Sequence, residues 1–335
     1  MIGYADIRNV HVELSSLCNA RCPLCPRNLN GYPYNNGYTE ANLTLASVKK
    51  IFTPDLLQQL TSILINGNFG DMVMNPETLE IVEYFRSQNP KLSISISTNG
   101  SARTKEFWTR LAELRTTVWF CLEGLEDTHH IYRQNTSWSA IIENAKTYIA
   151  SGGRAIWKMI KFDHNLHQID ACKQMSKDLG FAGFELNDHG RNSGPVYDKE
   201  GKLVYVMGDY TGETNFEIFF DKKRTDMVLV ENVAPTVKRY DKINCYTKQK
   251  RSIYISSTGD VYPCCWTGFS PKTYGKGGYL EAVNSQLAPL INNNNAIEHG
   301  LEECIAWFNA VEASWSKDTF ESGRLICCND NCGIR

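Results

Sequence analysis

The sequence predicts an α/β protein: a mostly parallel sheet from about six βαβ units, followed by a smaller C-terminal α+β unit. Three observations carry this expectation. Strand-like and helix-like segments alternate through residues 7–190, the pattern of βαβ units. After residue 245 the pattern changes to a hairpin, loops and a helix. The 335 residues also exceed one domain of ordinary size, so two domains fit, as does one large α/β barrel with a short appendage.

In chain order, His11-Val-Glu-Leu14 is a short strand. Leu45 to Leu60 is helical in composition but interrupted at Pro54, which lacks an N–H and crowds the preceding turn. Ser62 to Ile65 is an apolar run stopped by Asn66-Gly67. From Pro76 to Gln88, Leu79, Val82 and Phe85 recur along one helix face. Leu92, Ile94 and Ile96 alternate with serines, and the strand ends at the turn signal Thr98-Asn99-Gly100. Lys105 to Leu114 is a helix, Val118 to Leu122 a strand closed by Glu123-Gly124. Ser139 to Ala150 is a helix whose C terminus suits Gly152-Gly153. Ala155 to Ile160 is a strand, Ile169 to Leu179 a helix, and Phe181 to Leu186 a strand. Residues 191–244 are rich in turn formers and read as a linker with short strands. Ser252 to Ile255 and Val261-Tyr262 then flank a turn as a hairpin. Lys272 to Gly278 and Asn292 to Asn295 read as loops, and Glu298 to Trp315 as one helix with Leu301, Ile305, Phe308 and Val311 apolar.

Hydrophobic residues are 42% and charged residues 21%, which excludes a disordered or fibrous chain. A net charge of −2 gives no bulk positive field for nucleic acid or an anionic membrane. No apolar run is long enough to span a membrane, and MIGYADIRNV carries no basic region followed by an apolar run. A cytoplasmic, reducing setting is therefore expected. The 12 cysteines are clustered: Cys18, Cys22 and Cys25, then isolated Cys121 and Cys172, then seven from Cys245 to Cys332. In such a setting clustered cysteines read as metal ligands before disulfides, and the isolated ones as small core residues.

Cys18-Asn-Ala-Arg-Cys22-Pro-Leu-Cys25 follows the first strand as a C-x3-C-x2-C loop. Three thiolates in so short a loop can meet at one metal centre. A four-iron cluster held by three protein thiolates keeps one iron open, and an open position is what a catalytic metal site needs. A structural zinc site takes four ligands, and no fourth is near; a zinc knuckle is the competing reading.

This loop resembles the signature of radical S-adenosylmethionine enzymes. The resemblance implies that Cys18, Cys22 and Cys25 hold a [4Fe-4S] cluster whose fourth iron is chelated by the amino and carboxylate groups of S-adenosylmethionine. It implies that one electron splits the C–S bond to a 5′-deoxyadenosyl radical, which abstracts hydrogen from a substrate. An electron donor such as flavodoxin or ferredoxin is implied with it. Gly67-Asn-Phe-Gly70-Asp71-Met-Val-Met-Asn-Pro76 resembles the family's G-x-G-E-P-x-x-N-P segment, which holds the methionine amino group; Asp71 stands where Glu is usual and Met72 where Pro is usual. Thr98-Asn99 resembles the family's strand-three ending, which contacts the cofactor. Cys121-Leu-Glu123-Gly124, followed by His130-Ile-Tyr-Arg133, resembles the S-[IL]-D-G…H-x-x-x-R stretch, with Cys121 in place of Ser. Arg133 falls where a guanidinium holds the cofactor carboxylate. Gly70, Asp71, Thr98, Asn99, Cys121 and Arg133 are thus the expected cofactor contacts.

Near the end, Cys245 and Cys264 stand in a C-x13-G-x4-C pattern, and Cys327-Cys328 precede Cys332. A hairpin turning at Gly259 could bring the first pair together, and two pairs can close a four-thiolate site. This resembles the auxiliary-cluster region of SPASM and Twitch radical enzymes. Of the SPASM run C-x2-C-x5-C-x3-C only Cys328 to Cys332 is present. The resemblance implies one auxiliary [4Fe-4S] cluster on Cys245, Cys264, Cys328 and Cys332, with Cys265 and Cys327 as neighbours that could replace one of them. A zinc ribbon on the same thiolates is the alternative. The fold implied is a partial (β/α)6 TIM-like barrel over 7–190, a linker over 191–244 and a small SPASM/Twitch-type α+β domain over 245–335. The implied substrate is a peptide or protein, with a sugar, aminoglycoside or nucleotide-type small molecule as the runner-up. A non-enzymatic zinc or iron–sulfur protein, which would not react with S-adenosylmethionine, is the reading from another class.

Overall fold

The computed structural model describes residues 1–33, 38–187, 193–208, 240–269 and 278–334. All six expected strands form close to their expected places: β1 (Asn9–Val12), β4 (Ser62–Ile65), β5 (Ser93–Thr98), β6 (Thr117–Cys121), β7 (Arg154–Ile160) and β8 (Gly183–Asn187). Two short strands, β2 (Asn28–Leu29) and β3 (Tyr32–Pro33), form a hairpin just after the cysteine loop. The main sheet runs β12-β11-β1-β4-β5-β6-β7-β8, where β11 is Ser252–Ile255 and β12 is Val261–Tyr262, with β8 and β12 at its edges. From β1 to β8 every neighbouring pair is parallel, the winding of a partial (β/α) barrel.

The helices that return the chain form where the apolar spacing placed them. Pro54 divides the first helical stretch into Leu45–Ile51 and Pro54–Gln59, the second starting with proline at its first turn. Thr44 and Thr53 cap these helices by accepting from the amides of Ser47 and Leu56. Thr78–Gln88, Lys105–Glu113, Trp138–Ala150 and Ile169–Asp178 follow. Strand alternation then sorts the sheet's faces. Val10, Val12, Ile63, Ile65, Ile94, Ile96, Val118 and Phe120 are buried in the same core as Val48, Val82, Trp108 and Ile141 of the helices. The intervening residues Leu64, Ser97, Trp119, Lys158 and Glu185 line a cavity on the other face.

Strands β9 (Gly194–Tyr197) and β10 (Leu203–Met207) form an antiparallel hairpin inside the expected linker. It packs on the cysteine loop: Val196 and Met207 share a cluster with Ala20, Cys22, Tyr132 and Phe162. Of the linker, residues 191–192 and 209–239 lie outside the described residues, as do 272–277 of the expected loop.

The C-terminal hairpin forms as expected from β11 (Ser252–Ile255) and β12 (Val261–Tyr262), with Gly259 at φ +86 in its turn. Its location was not foreseen. β11 pairs in parallel with β1, Asn9 opposite Ser252 and Val12 opposite Ile255, so the hairpin extends the barrel sheet. It gives β1 a second partner and covers what would be an open edge. The single helix expected from Glu298 to Trp315 is instead three: Ala296–His299, Leu301–Cys304 and Phe308–Ser314. Gly300 sits at φ +77 and breaks the first from the second. Four further helices of this region were not expected: Tyr246–Gln249, Cys265–Phe269, Gly278–Leu287 and Ile326–Cys332. Among the described residues, no helix is long and apolar enough to cross a membrane.

Candidate functional site

The loops at the C-terminal ends of the parallel strands meet around a cavity of about 410 Å³. Cys18, Cys22, Cys25, Gly70, Asp71, Thr98, Asn99, Cys121 and Arg133 all line it. Five separate chain segments therefore deliver the residues expected at the first site to one place.

The three thiols are unpaired by disulfides; Cys22 is buried and its two neighbours are half-buried. Donors already face their sulfurs: Arg133 Nη1 lies 3.6 Å from Cys22 Sγ, and Asn99 Nδ2 3.8 Å from Cys18 Sγ. Burial, reinforced by the Asp71 carboxylate, pushes the Cys18 thiol well above its usual range. A bound cation would displace that proton, because coordination deprotonates a thiol outright. Among the described residues, no three His, Cys, Asp or Glu side chains are drawn in around a single metal ion. The three thiols all border the same cavity.

Asp71 is buried, and its carboxylate is saturated. Oδ1 accepts from Thr98 Oγ1 at 2.6 Å and from the Val73 amide at 3.2 Å; Oδ2 accepts from the Asn99 amide at 2.7 Å and Asn99 Nδ2 at 2.8 Å. Burial raises its pKa, and these donors pull it back. Asp71 thus ties the loop after β4 to the end of β5. Gly70 has no room for a side chain: a Cβ there would stand 2.0 Å from the Ser15 carbonyl oxygen.

Arg133 follows the helix Glu126–Tyr132, which sequence reasoning did not place. Its Nε and Nη2 both donate to Glu123 Oε1, at 3.1 and 2.6 Å. Glu123 is fully buried, and its Oε2 accepts from the Ile160 amide. The fork expected on a cofactor carboxylate is thus occupied by Glu123, leaving Nη1 toward Cys22. Burial opposes the guanidinium charge, but Cys22, Glu123 and Cys121 outweigh it and hold its pKa well above the usual value. Cys121 lines the cavity with its sulfur 3.4 Å from Ser97 Oγ.

The sequence reading put His130 in the motif, but His130 is exposed; the buried ring is His129, which has the four-residue spacing to Arg133. His129 Nδ1 accepts from the Glu123 amide at 3.1 Å, and Nε2 meets Thr136 Oγ1 at 3.1 Å. Burial, with Arg133 and His130 adding to it, lowers its pKa to about 3. The unfolded chain therefore takes up a proton here, near pH 6.5, that the folded chain refuses. Stability contributed by the neutral ring is complete above pH 6.5 and is lost as pH falls toward 3, with a slope of at most about 1.4 kcal/mol per pH unit. Urea unfolding from pH 7.5 to 5 should show that fall, and His129→Gln should flatten it. An equal slope in the variant would rule the ring out as its source.

Sequence reasoning also passed over the cavity's far wall. There Trp119 Nε1 donates to Glu185 Oε2 at 2.9 Å, and Lys158 Nζ pairs with Glu185 Oε1 at 3.2 Å. The signal was available: Trp119 is two residues before Cys121, Lys158 two before Ile160, and Glu185 two before Asn187, so a period of two puts all six on one face.

At the other end, Cys245, Cys264, Cys328 and Cys332 line a second, small cavity, together with Cys327, Trp315 and Val311. Helix Ile326–Cys332 puts Cys328 and Cys332 one turn apart. Of the two neighbours, Cys327 stands on this wall and Cys265 does not. Cys172 is fully buried in the apolar core, as expected, and so is Cys304.

The fold and this cavity define a partial α/β barrel with a ligand-sized pocket over its strand ends. No protein-family model matches the sequence, and no curated protein matches it. Solved structures do match in fold. Native anSMEcpe with bound AdoMet superposes with TM-score 0.56 at 15% identity, over 97% of this chain and 88% of that one. SuiB of Streptococcus suis bound to S-adenosylmethionine gives 0.53 at 14% identity, over 96% and 77%. SuiB bound to the precursor peptide SuiA gives 0.54 at 14% identity, over 96% and 76%. The chain shares its fold with these proteins, two of them solved with S-adenosylmethionine bound.

Proposed function

We propose that the chain is a radical S-adenosylmethionine enzyme that reductively cleaves its cofactor and abstracts hydrogen from a substrate. The observation that carries this is the meeting of the three-thiol loop with Gly70, Asp71, Thr98, Asn99, Cys121 and Arg133 around one cavity. Cys18, Cys22 and Cys25 would hold the [4Fe-4S] cluster. When bound, that group supplies one electron to the C–S bond of S-adenosylmethionine. The protein's own part is to bind and orient. Asp71 fixes Thr98 and Asn99, whose side chains border the cavity, and Glu123 holds Arg133 so that Nη1 faces the cysteine loop. The barrel spans 7–190 in this reading and an auxiliary domain 245–335. There Cys245, Cys264, Cys328 and Cys332 would hold a second [4Fe-4S] cluster. With four protein thiolates it has no open iron, so its role is electron transfer or structure.

A peptide or protein is the favoured substrate. SuiB and anSMEcpe, which share the fold, have each been solved with a peptide. The Trp119–Lys158–Glu185 wall offers a flat ring and paired charges to a polar chain. The electron would come from a flavodoxin or ferredoxin. The test is release of 5′-deoxyadenosine from S-adenosylmethionine by the anaerobically reconstituted protein with dithionite. Iron-loaded protein that releases none would sink the proposal.

A further inference from the structure

Glu13, just after β1, is only 1% exposed, and among the described residues no ion pair reaches it, the Arg27 guanidinium acting on it only through its charge. A buried carboxylate without a cation is costly unless donors surround it. Three do. Its Oε1 accepts from the Phe69 amide at 2.7 Å and the Gly70 amide at 2.9 Å; its Oε2 accepts from the Tyr254 hydroxyl at 3.0 Å. The first two donors belong to the loop that leads into Asp71. The third belongs to β11 of the C-terminal hairpin. The loop is pressed onto the carboxylate: a Cβ on Gly67 would lie 2.7 Å from Glu13 Oε1.

The same loop touches the C-terminal unit twice more. Asn68 Nδ2 donates to the Cys265 carbonyl oxygen at 2.9 Å, and the Phe69 ring lies 5.3 Å from that of Phe269. Tyr254 is itself wedged, since a Cβ on Gly268 of helix Cys265–Phe269 would meet its ring at 2.4 Å. Buried groups thus run without a break from the helix that begins beside Cys264, through Tyr254 and Glu13, to Gly70 at the cavity.

We propose that Glu13 is a positioning residue: it fixes the Phe69 and Gly70 amides, and Tyr254 fixes Glu13, so that the C-terminal hairpin sets the shape of the loop that receives S-adenosylmethionine. The ligand in this statement rests on the proposed function; the positioning does not. Glu13 touches no reacting atom, and its effect is on how well the loop is formed before the ligand arrives.

Two readouts test this, on the full-length reconstituted protein. Hydrogen exchange at the Phe69 and Gly70 amides reports loop order, and equilibrium dialysis of S-adenosylmethionine reports affinity. Glu13→Met should speed exchange at both amides and weaken binding by about tenfold or more, with iron content unchanged. Glu13→Gln can still accept both amides and turn its Nε2 toward the Tyr254 oxygen, so it should stay within about threefold of wild type. Tyr254→Phe should fall between the two. Unchanged exchange in Glu13→Met, or a Glu13→Gln as impaired as Glu13→Met, overturns the proposal. If wild type itself binds no S-adenosylmethionine, the functional reading fails, and amide exchange still decides the role of Glu13.

Discussion

Alanine at Cys18, Cys22 and Cys25 together should halve the iron of the anaerobically reconstituted protein, from the about eight atoms per chain that two [4Fe-4S] clusters would hold to about four, and should end release of 5′-deoxyadenosine. The reason is in the donor sets. The first cavity is bordered by these three thiols, while Cys245, Cys264, Cys327, Cys328 and Cys332 border another. The two sets share no ligand, so losing one should leave the other loaded. The reverse variant, Cys328→Ala with Cys332→Ala, should also lose about half the iron, because it removes both thiols that the last helix contributes. Iron at about four in wild type and none in the triple variant would leave the second cavity to zinc or to nothing. Zinc without iron in either protein would end the radical reading and favour a zinc protein.

Arg133→Met should cost about 3–5 kcal/mol of folding stability and most of the affinity for S-adenosylmethionine. The side chains of Arg133 and Glu123 are 15% and 1% exposed, and the guanidinium donates twice to one carboxylate oxygen. Removing the cation leaves Glu123 buried with, among the described residues, the Ile160 amide as the remaining donor to its side chain. A double variant, Arg133→Met with Glu123→Leu, separates the two effects. It should recover most of the stability, because no charge remains buried, and should still bind S-adenosylmethionine poorly, because Nη1 beside Cys22 is gone. Recovery of both properties in the double variant would show that the ion pair serves stability alone. The readouts are urea unfolding and equilibrium dialysis.

Much of this protein was legible in the sequence. Alternating Leu92, Ile94 and Ile96, and the turn at Thr98-Asn99-Gly100, located β5 because strand period and turn chemistry are local properties. The C-x3-C-x2-C spacing likewise marked the first donor set, since neighbouring ligands need no knowledge of distant chain. The helix break at Gly300 was missed because apolar spacing continues across it, and a single glycine at φ +77 overrides the pattern. His129 rather than His130 has the four-residue spacing to Arg133 that the motif requires, so that distinction was already in the sequence, and the structure adds that His129 is the buried one.

Taken alone, then, the sequence determined the order and kind of the elements, the two cysteine sets and the segments that carry the expected contacts. Those follow from chirality, hydrophobic period and spacing along one short stretch of chain. Only the tertiary structure decided that β11 lies beside β1, that Glu123 occupies the Arg133 fork, and that Glu13 joins Tyr254 to the Phe69 and Gly70 amides. Each of these pairs groups that are distant along the chain or on different elements. Burial makes the pairing obligatory, because a carboxylate removed from water must take whatever donors the packing of strands and loops has brought within reach.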